Sequence, residues 1–271
     1  MPPRLLAFDL DGTLLTSDKR LSRANASALA DMAQCGAVVV LASGRIGSSM
    51  MQYAAGLSCD PALLTLNGAA VFTGAAQGSR RVYSAPLAPE FAEALVDHSE
   101  RADYAVNYYL DGLLYTVRNE RTARWNDLYY AQTASAYILV ESLRALRGSA
   151  PHKIIFVGDP LVLDKEEHDL RKRWGADLYI VRTWDYYLEF LSPEADKGKG
   201  LAVLAKEYGI PLAETAAFGD ANNDIPLFKA AHTAIAVKNA SPEAKRAATR
   251  VSEWTNDEDA VAREWERLKG L

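Results

Sequence analysis

Asp9 and Asp11 stand two residues apart in Asp9-Leu10-Asp11-Gly12-Thr13, a spacing that sends both side chains to the same side of an extended segment. Two carboxylates held together repel, and one takes up a proton unless a cation lies between them. A third acid, Asp220, follows another apolar run, with Asn222-Asn223-Asp224 just beyond it. Three acids and a backbone carbonyl make a hard oxygen set suited to Mg²⁺. Histidine and cysteine are missing from these segments, which argues against zinc. The remaining polar segments suit a phosphate. Ser43 in Ser43-Gly44-Arg45 offers a hydroxyl, and the Gly12 and Gly44 backbones allow close approach of an anion to N–H groups. Lys197, in Asp196-Lys197-Gly198, supplies a point charge for non-bridging oxygens. Asn67-Gly68 and Lys238-Asn239 complete the set.

These residues need elements that bring them together. Residues 5–8 form a short apolar run ended by acids and Gly12, and 37–41 is the β-branched run of a strand buried on both faces. Residues 63–66 resemble it. Ser22 caps a helix running to about Cys35 and stopped by Gly36. Further on, 200–208 reads as a helix, 216–218 and 234–237 as strands, 225–231 as a short helix and 258–268 as the last one, with Ser241-Pro242 starting another. Alternating strands and helices predict an α/β fold, a doubly wound parallel sheet of the Rossmann-like kind. In such a sheet ligands bind at the carboxyl ends of the strands, where all the polar segments above fall.

Between residues 84 and 190 the texture changes. Runs at 104–109 and 113–117 flank Leu110-Asp111-Gly112, whose Asp-Gly is a hairpin turn signal. Residues 154–157 and 178–181 read as further strands, and nine of the 13 tyrosines fall between 83 and 179. The sequence therefore predicts a core made of residues 1–83 and 191–271, with an α+β domain, 84–190, inserted into it.

Bulk properties narrow the function classes. A net charge of -5 gives no basic footprint for nucleic acid, and the Arg171-Lys172-Arg173 cluster, preceded by Glu166, Glu167 and Asp169, reads as the solvated face of a helix. Cys35 and Cys59 lack disulfide or metal-ligand spacing. No apolar run approaches the ~18 residues of a membrane span, and the opening run is too short for a signal peptide, so a cytoplasmic location away from membranes is expected.

Asp9-Leu10-Asp11-Gly12-Thr13-Leu14 resembles the first motif of the haloacid dehalogenase-like hydrolase superfamily. Ser43-Gly44-Arg45, Lys197-Gly198 and Gly219-Asp220-Ala221-Asn222-Asn223-Asp224 resemble the other three, in order. Val237-Lys238-Asn239-Ala240 and Asn256-Asp257-Glu258-Asp259 are further similar to the Cof-type subfamily, whose cap domain is inserted between the second and third motifs. The resemblance implies a phosphatase acting on a small phosphorylated metabolite, by default a sugar phosphate. It makes Asp9 the nucleophile and Asp11 the acid–base that protonates the leaving alcohol and then activates water. It places Mg²⁺ on the Asp9 carboxylate, the Asp11 backbone carbonyl and Asp220, with Asp224 a further ligand or an orienting acid. Ser43, Gly44, Lys197, Asn223 and the Leu10 backbone N–H would hold the phosphoryl oxygens, and Thr13 would brace the loop. Arg45 and Asn67 are expected at the substrate. Plainer readings stand beside these: Asp224 as the cap of the helix at Ile225, Arg45 paired with an acid of the inserted domain, Asn67 and Asn239 as turn residues. Trp184-Asp185-Tyr186-Tyr187 is the expected specificity segment. A sugar phosphomutase on the same core, or a module that accepts phosphate on Asp9 without turnover, are the competing functions.

Overall fold

The computed structural model describes residues 2–100, 102–133 and 135–270. The chain divides into two units, Met1–Ser84 with Asp196–Leu271, and Ala85–Ala195.

The first unit opens with β1 (Leu5–Phe8), α1 (Arg23–Gln34), β2 (Val38–Ala42), α2 (Gly47–Ala54), β3 (Ala62–Thr65), β4 (Ala70–Phe72) and β5 (Arg81–Ser84). The second unit follows as α3 (Pro89–Ser99), β6 (Ala105–Leu110), β7 (Leu113–Thr116), α4 (Ala123–Thr133), β8 (Ile138–Leu139), β9 (Lys153–Val157), α5 (Pro160–Trp174), β10 (Tyr179–Trp184) and β11 (Tyr187–Leu191). The chain then returns to the first unit with α6 (Lys197–Glu207), β12 (Thr215–Gly219), α7 (Ile225–Ala230), β13 (Thr233–Ala236), α8 (Pro242–Ala247), β14 (Arg250–Val251) and α9 (Ala260–Lys269).

The first unit's sheet has the order β14-β13-β12-β1-β2-β3-β4-β5 and is parallel except where β4 and β5 turn back. Side-chain alternation sorts each strand between two cores. Leu5, Ala7, Val40, Leu64 and Ala217 pack with Leu201 and Leu204 of α6 and with Leu227 and Phe228 of α7. Leu6, Phe8, Leu41 and Phe218 face the other way, onto Leu29 and Met32 of α1, Met50 of α2 and Trp265 of α9. Helices cover both faces, so the strands read as continuous apolar runs. At β1 the chain's next strand lies on one side and its late strand β12 on the other, and the crevice of a doubly wound sheet forms at such a point.

The second unit's sheet, β10-β11-β9-β6-β7-β8, is antiparallel apart from the β7–β8 pair. Its β6–β7 hairpin turns through Asp111 (φ 50°) and Gly112 (φ 78°), as a two-residue primed turn requires.

Several boundaries differ from those read in the sequence. The return from the second unit falls at Ala195, because Ser192–Ala195 folds into a turn after β11, where the Ala195 N–H reaches the Ser192 carbonyl at 2.9 Å. Helix α6 starts at Lys197 and not at 200: the Asp196 carboxylate accepts the Lys199 N–H at 2.9 Å, and this cap starts the helix through two glycines that propensity counts against it. The last helix starts at Ala260, after a turn that puts Asp259 at φ 60°.

Gly198 has a packing role. A Cβ there would lie 2.4 Å from the Pro226 carbonyl oxygen of α7, so only glycine lets the two helices meet. Gly198→Ala is expected to cost about 1–3 kcal/mol by overpacking, read as a lower urea midpoint with an unchanged slope. An unshifted midpoint would show that the contact relaxes freely.

Candidate active site

Four strands of the first unit deliver the site at their carboxyl ends. Asp9 directly follows β1 and is anchored by its own N–H, which donates to the Phe218 carbonyl at 3.0 Å. Asp220 follows β12, and Asp224 ends a short turn, Asn222–Asp224, beyond it. The carboxylates of Asp9, Asp220 and Asp224 lie within 4.8 Å of one another. Lys197, wholly buried in the first turn of α6, donates from Nζ to Asp9 Oδ1 and to Asp224 Oδ1, each at 2.6 Å. The other oxygen of Asp224 accepts the N–H groups of Asp220 (3.0 Å) and Ala221 (3.1 Å). Asp224 thus turns back toward the strand and makes no side-chain cap for α7, which settles its plainer reading. Thr13 Oγ1 donates to Asp220 Oδ1 at 3.0 Å, tying the loop after β1 to the end of β12. Gly12 lies against the same carboxylate: a Cβ there would fall 2.5 Å from Asp220 Oδ2.

Burial raises the Asp9 carboxyl well above its ordinary pKa; the Lys197 charge opposes this, and the charges of Asp224 and Asp220 add to it. Burial and then the Asp224 charge push Asp220 up to about 6, against the pull of the Thr13 hydrogen bond. Burial would lower the pKa of Lys197, but the charges of Asp224 and Asp9 outweigh it and hold the ammonium form. One ammonium among three carboxylates leaves a net negative pocket of oxygen donors, and the donor set fits a hard divalent cation.

Asp11 departs from its expected place. The chain leaves the strand after Phe8, and the Asp11 carboxylate is not among the three clustered acids. Arg45 grips it with two bonds, Nε to Oδ2 at 2.7 Å and an Nη to Oδ1 at 2.8 Å, and Lys19 Nζ reaches Oδ1 at 2.8 Å. Burial alone would raise this carboxyl, but Arg45 and then Lys19 hold it near 2. Arg45, expected at the substrate or on an acid of the second unit, is held here by Asp11 and lies over the Tyr53 ring. Lys19 was not singled out in the sequence; its only signal is the polar run Thr16-Ser17-Asp18-Lys19-Arg20, which reads as an ordinary turn.

Ser43 is buried, its Oγ accepting the Arg45 N–H at 3.2 Å, which uses a lone pair and not its O–H. Its carbonyl accepts the Asn67 N–H at 3.0 Å, joining the ends of β2 and β3. Residues 63–66 were expected as a strand, but β3 ends at Thr65, and Leu66 and Asn67 adopt φ 51° and 57°. That turn buries the Asn67 amide beside Gly44: Oδ1 accepts from Asn223 Nδ2 at 3.0 Å, while Nδ2 has no hydrogen-bond partner. Leu10 closes the turn after Asp9, its carbonyl accepting the Leu14 and Leu15 N–H groups at 3.1 and 2.9 Å. Asn239 is more than a turn residue, since Nδ2 donates to the Gly12 carbonyl at 2.8 Å and Oδ1 accepts the Asn256 N–H at 3.0 Å. Asn256 and Asn25 donate to the carbonyls of Leu15 and Leu14, so three amides brace the loop behind Asp9 and Asp11.

A doubly wound core carrying an α+β insertion, with an acid–lysine cluster at its strand ends, defines a hydrolase of the α/β type with an inserted second unit. The profile of the haloacid dehalogenase-like hydrolases matches residues 6–264, and the chain belongs to that family. Phosphatase YwpJ of Bacillus subtilis is 29% identical over 284 residues, covering 96% of this chain and 97% of its own. An HMP-PP phosphatase of Klebsiella pneumoniae is 30% identical over 246 residues, covering 89% of this chain and 86% of its own. Among solved structures, a haloacid dehalogenase-like hydrolase from Bacteroides thetaiotaomicron superposes with a TM-score of 0.88 at 27% identity, covering 98% of this chain and 99% of its own. The enzyme falls in the phosphatase group that these curated relatives represent.

The acid cluster has a pH signature. Asp220 binds its proton more tightly folded (about 6) than unfolded (~3.9), and Asp9 shifts the same way. With metal chelated, folding stability should therefore fall as pH rises from about 4 through about 6 and stay low above it, a loss of up to ~3 kcal/mol for Asp220. Thermal melts in EDTA at pH 5 and 7.5 would show it, with Mg²⁺ removing the difference. Equal melting temperatures in EDTA would refute this electrostatic account.

Proposed function

We propose that this enzyme is a Mg²⁺-dependent phosphatase that removes phosphate from a small phosphorylated metabolite, a sugar phosphate by preference, through a phosphoryl group carried on Asp9. The observation that supports this most is the Lys197 ammonium shared between Asp9 and Asp224 inside the three-acid cluster. In phosphoryl transfer the protein's work is mostly placement and neutralisation of charge, and this arrangement supplies both.

In the first step an Asp9 carboxylate oxygen attacks phosphorus, the bond to the leaving oxygen breaks, and Asp11 gives that oxygen its proton. In the second, water attacks the phosphorus, Asp11 takes the water's proton, and the Asp9–phosphorus bond breaks to free phosphate. Asp9, Asp220, Asp224 and the Asp11 carbonyl would hold Mg²⁺, which when bound neutralises charge on the phosphoryl oxygens. Lys197, Ser43, the Gly44 and Leu10 backbones, Asn67 and Asn223 would hold those oxygens. Asp11 cannot carry a proton while Arg45 grips it. A phosphoryl group competing for the Arg45 guanidinium would loosen that grip and let the Asp11 pKa climb, so Arg45 serves both partners in turn.

Asp9→Asn is expected to lower turnover by on the order of 10³ or more without unfolding the protein, because an amide is no nucleophile. EDTA should abolish activity and Mg²⁺ restore it. Near-normal rates in either case would overturn the reading. In kcat/KM, which reports the first step, Asp11→Asn should lose about 10²–10⁴-fold on an alkyl phosphate and much less on p-nitrophenyl phosphate, whose leaving group needs no proton. Equal losses on both would remove Asp11 from the acid role. A panel of phosphorylated sugars, nucleotides and pyrimidine esters, followed for free phosphate against isomerised sugar phosphate, would rank substrates and separate hydrolysis from mutase chemistry.

A further inference from the structure

Residues 15–21 form a tight hairpin just beyond Asp11. Leu15 pairs antiparallel with Leu21, the Thr16 N–H donates to the Arg20 carbonyl at 2.9 Å, and the Lys19 N–H donates to the Thr16 carbonyl at 2.8 Å. Residues 17–20 at its tip are exposed, and an exposed polar tip is ordinarily loose. This one is tied down. Asp257, 240 residues further along, accepts the Ser17 N–H on Oδ1 at 2.7 Å and the Ser17 hydroxyl on Oδ2 at 2.6 Å. Its neighbour Asn256 donates to the Leu15 carbonyl at 2.9 Å. Two adjacent residues of Asn256-Asp257-Glu258-Asp259 thus hold two positions of one hairpin arm. The turn that presents them is itself fixed by Glu258, which accepts the Thr255 N–H at 2.9 Å.

The hairpin delivers Lys19. Its backbone takes φ 62°, a left-handed conformation that a lysine side chain disfavours and that persists only where the surroundings impose it. From there Nζ reaches Asp11 Oδ1 at 2.8 Å. An exposed ion pair returns little stability, so stability does not account for the strain. The division of the Asp11 oxygens points to a use. Oδ1 accepts from both Lys19 and Arg45, and Oδ2 accepts from the Arg45 Nε. When Arg45 turns to a phosphoryl group, Oδ2 loses that donor while Lys19 keeps Oδ1.

We infer that Lys19 is a positioning residue for Asp11, fixing the carboxylate by Oδ1 so that Oδ2 meets the leaving oxygen, and that Asp257 anchors the hairpin that presents it. The inference rests on the phosphatase reading for the part Asp11 plays in proton transfer.

The test uses the full-length enzyme with Mg²⁺ and follows kcat/KM on an alkyl phosphate. Lys19→Met should lose ~tenfold or more, because the carboxylate turns away from the leaving oxygen. Taking a positive charge from beside Asp11 would by itself ease its protonation and favour a gain, so the direction of the change separates orientation from charge. Lys19→Arg should recover most of the loss. Asp257→Ala should lose ~fivefold or more, and Ser17→Ala, which keeps one of the two bonds, less. In an Asp11→Asn background each of these changes should shrink to within about twofold, since all act through Asp11. Without any turnover, hydrogen exchange at the amides of residues 15–20 should quicken ~tenfold or more in Asp257→Ala while that of β1 stays the same. No loss or a gain in Lys19→Met, losses undiminished in the Asp11→Asn background, or unchanged exchange in Asp257→Ala would overturn the inference. Release of phosphate from no ester would count against the phosphatase reading and leave the exchange result to decide the anchor.

Discussion

A lysine ammonium held between two buried carboxylates is a constraint that reaches through the first unit. Charges removed from water are tolerated only when paired and hydrogen-bonded, and here Lys197 satisfies Asp9 and Asp224 together. Meeting at 2.6 Å requires the ends of β1 and β12 and the first turn of α6 to converge. The fold supplies this by placing β1 next to β12, by capping α6 with Asp196, and by thinning the α6–α7 contact to a glycine. The pocket still has one cation for three acids, and the high pKa of Asp9 and the value near 6 for Asp220 express that shortfall.

The same reasoning explains the second acid. Asp9 and Asp11 share a motif but not an environment. One is embedded among acids and relieved by a lysine; the other leans away into Arg45 and Lys19. Two carboxyl groups of one type are thus set apart electrically, one raised by burial among acids and the other lowered by basic groups. Behind them, Asn25, Asn239 and Asn256 each spend an amide on a carbonyl of the connecting loop, which fixes the direction in which both acids leave it.

Much of this was legible in the chain. The α/β class, the strand ends and the acid, lysine and serine positions follow from apolar runs punctuated by polar, glycine-containing segments, because a strand buried on both faces admits polar groups only at its end. What escaped was set by tertiary contacts. The first turn of α6 was hidden by Gly198 and Gly200, whose low helix propensity is overridden by a cap and by packing against Leu64 and Pro226. Asp11's direction depends on Arg45, 34 residues away, and no local spacing encodes it. A turn at Asn67 was among the readings, but its start at Leu66 escaped because that residue takes a left-handed backbone that its side chain disfavours. In the second unit the sequence showed an aromatic-rich sheet, but not that one of its faces is polar, since that emerges only once Asn107, Ile155 and Glu189 are aligned across three strands.

The second unit leaves the first after β5 and rejoins it at the cap of α6, and those two elements pack against each other. The insertion therefore starts and finishes at neighbouring points of a finished scaffold. Closing so long a detour adds only a slowly growing entropic burden, and none of the parallel ladder is interrupted by it. Lys197, the second residue after re-entry, gets its position from α6 and its acid partners, not from the excursion before it. Such a layout behaves as a socket: the inserted unit can diverge in sequence, length or topology while the scaffold that receives it is inherited intact.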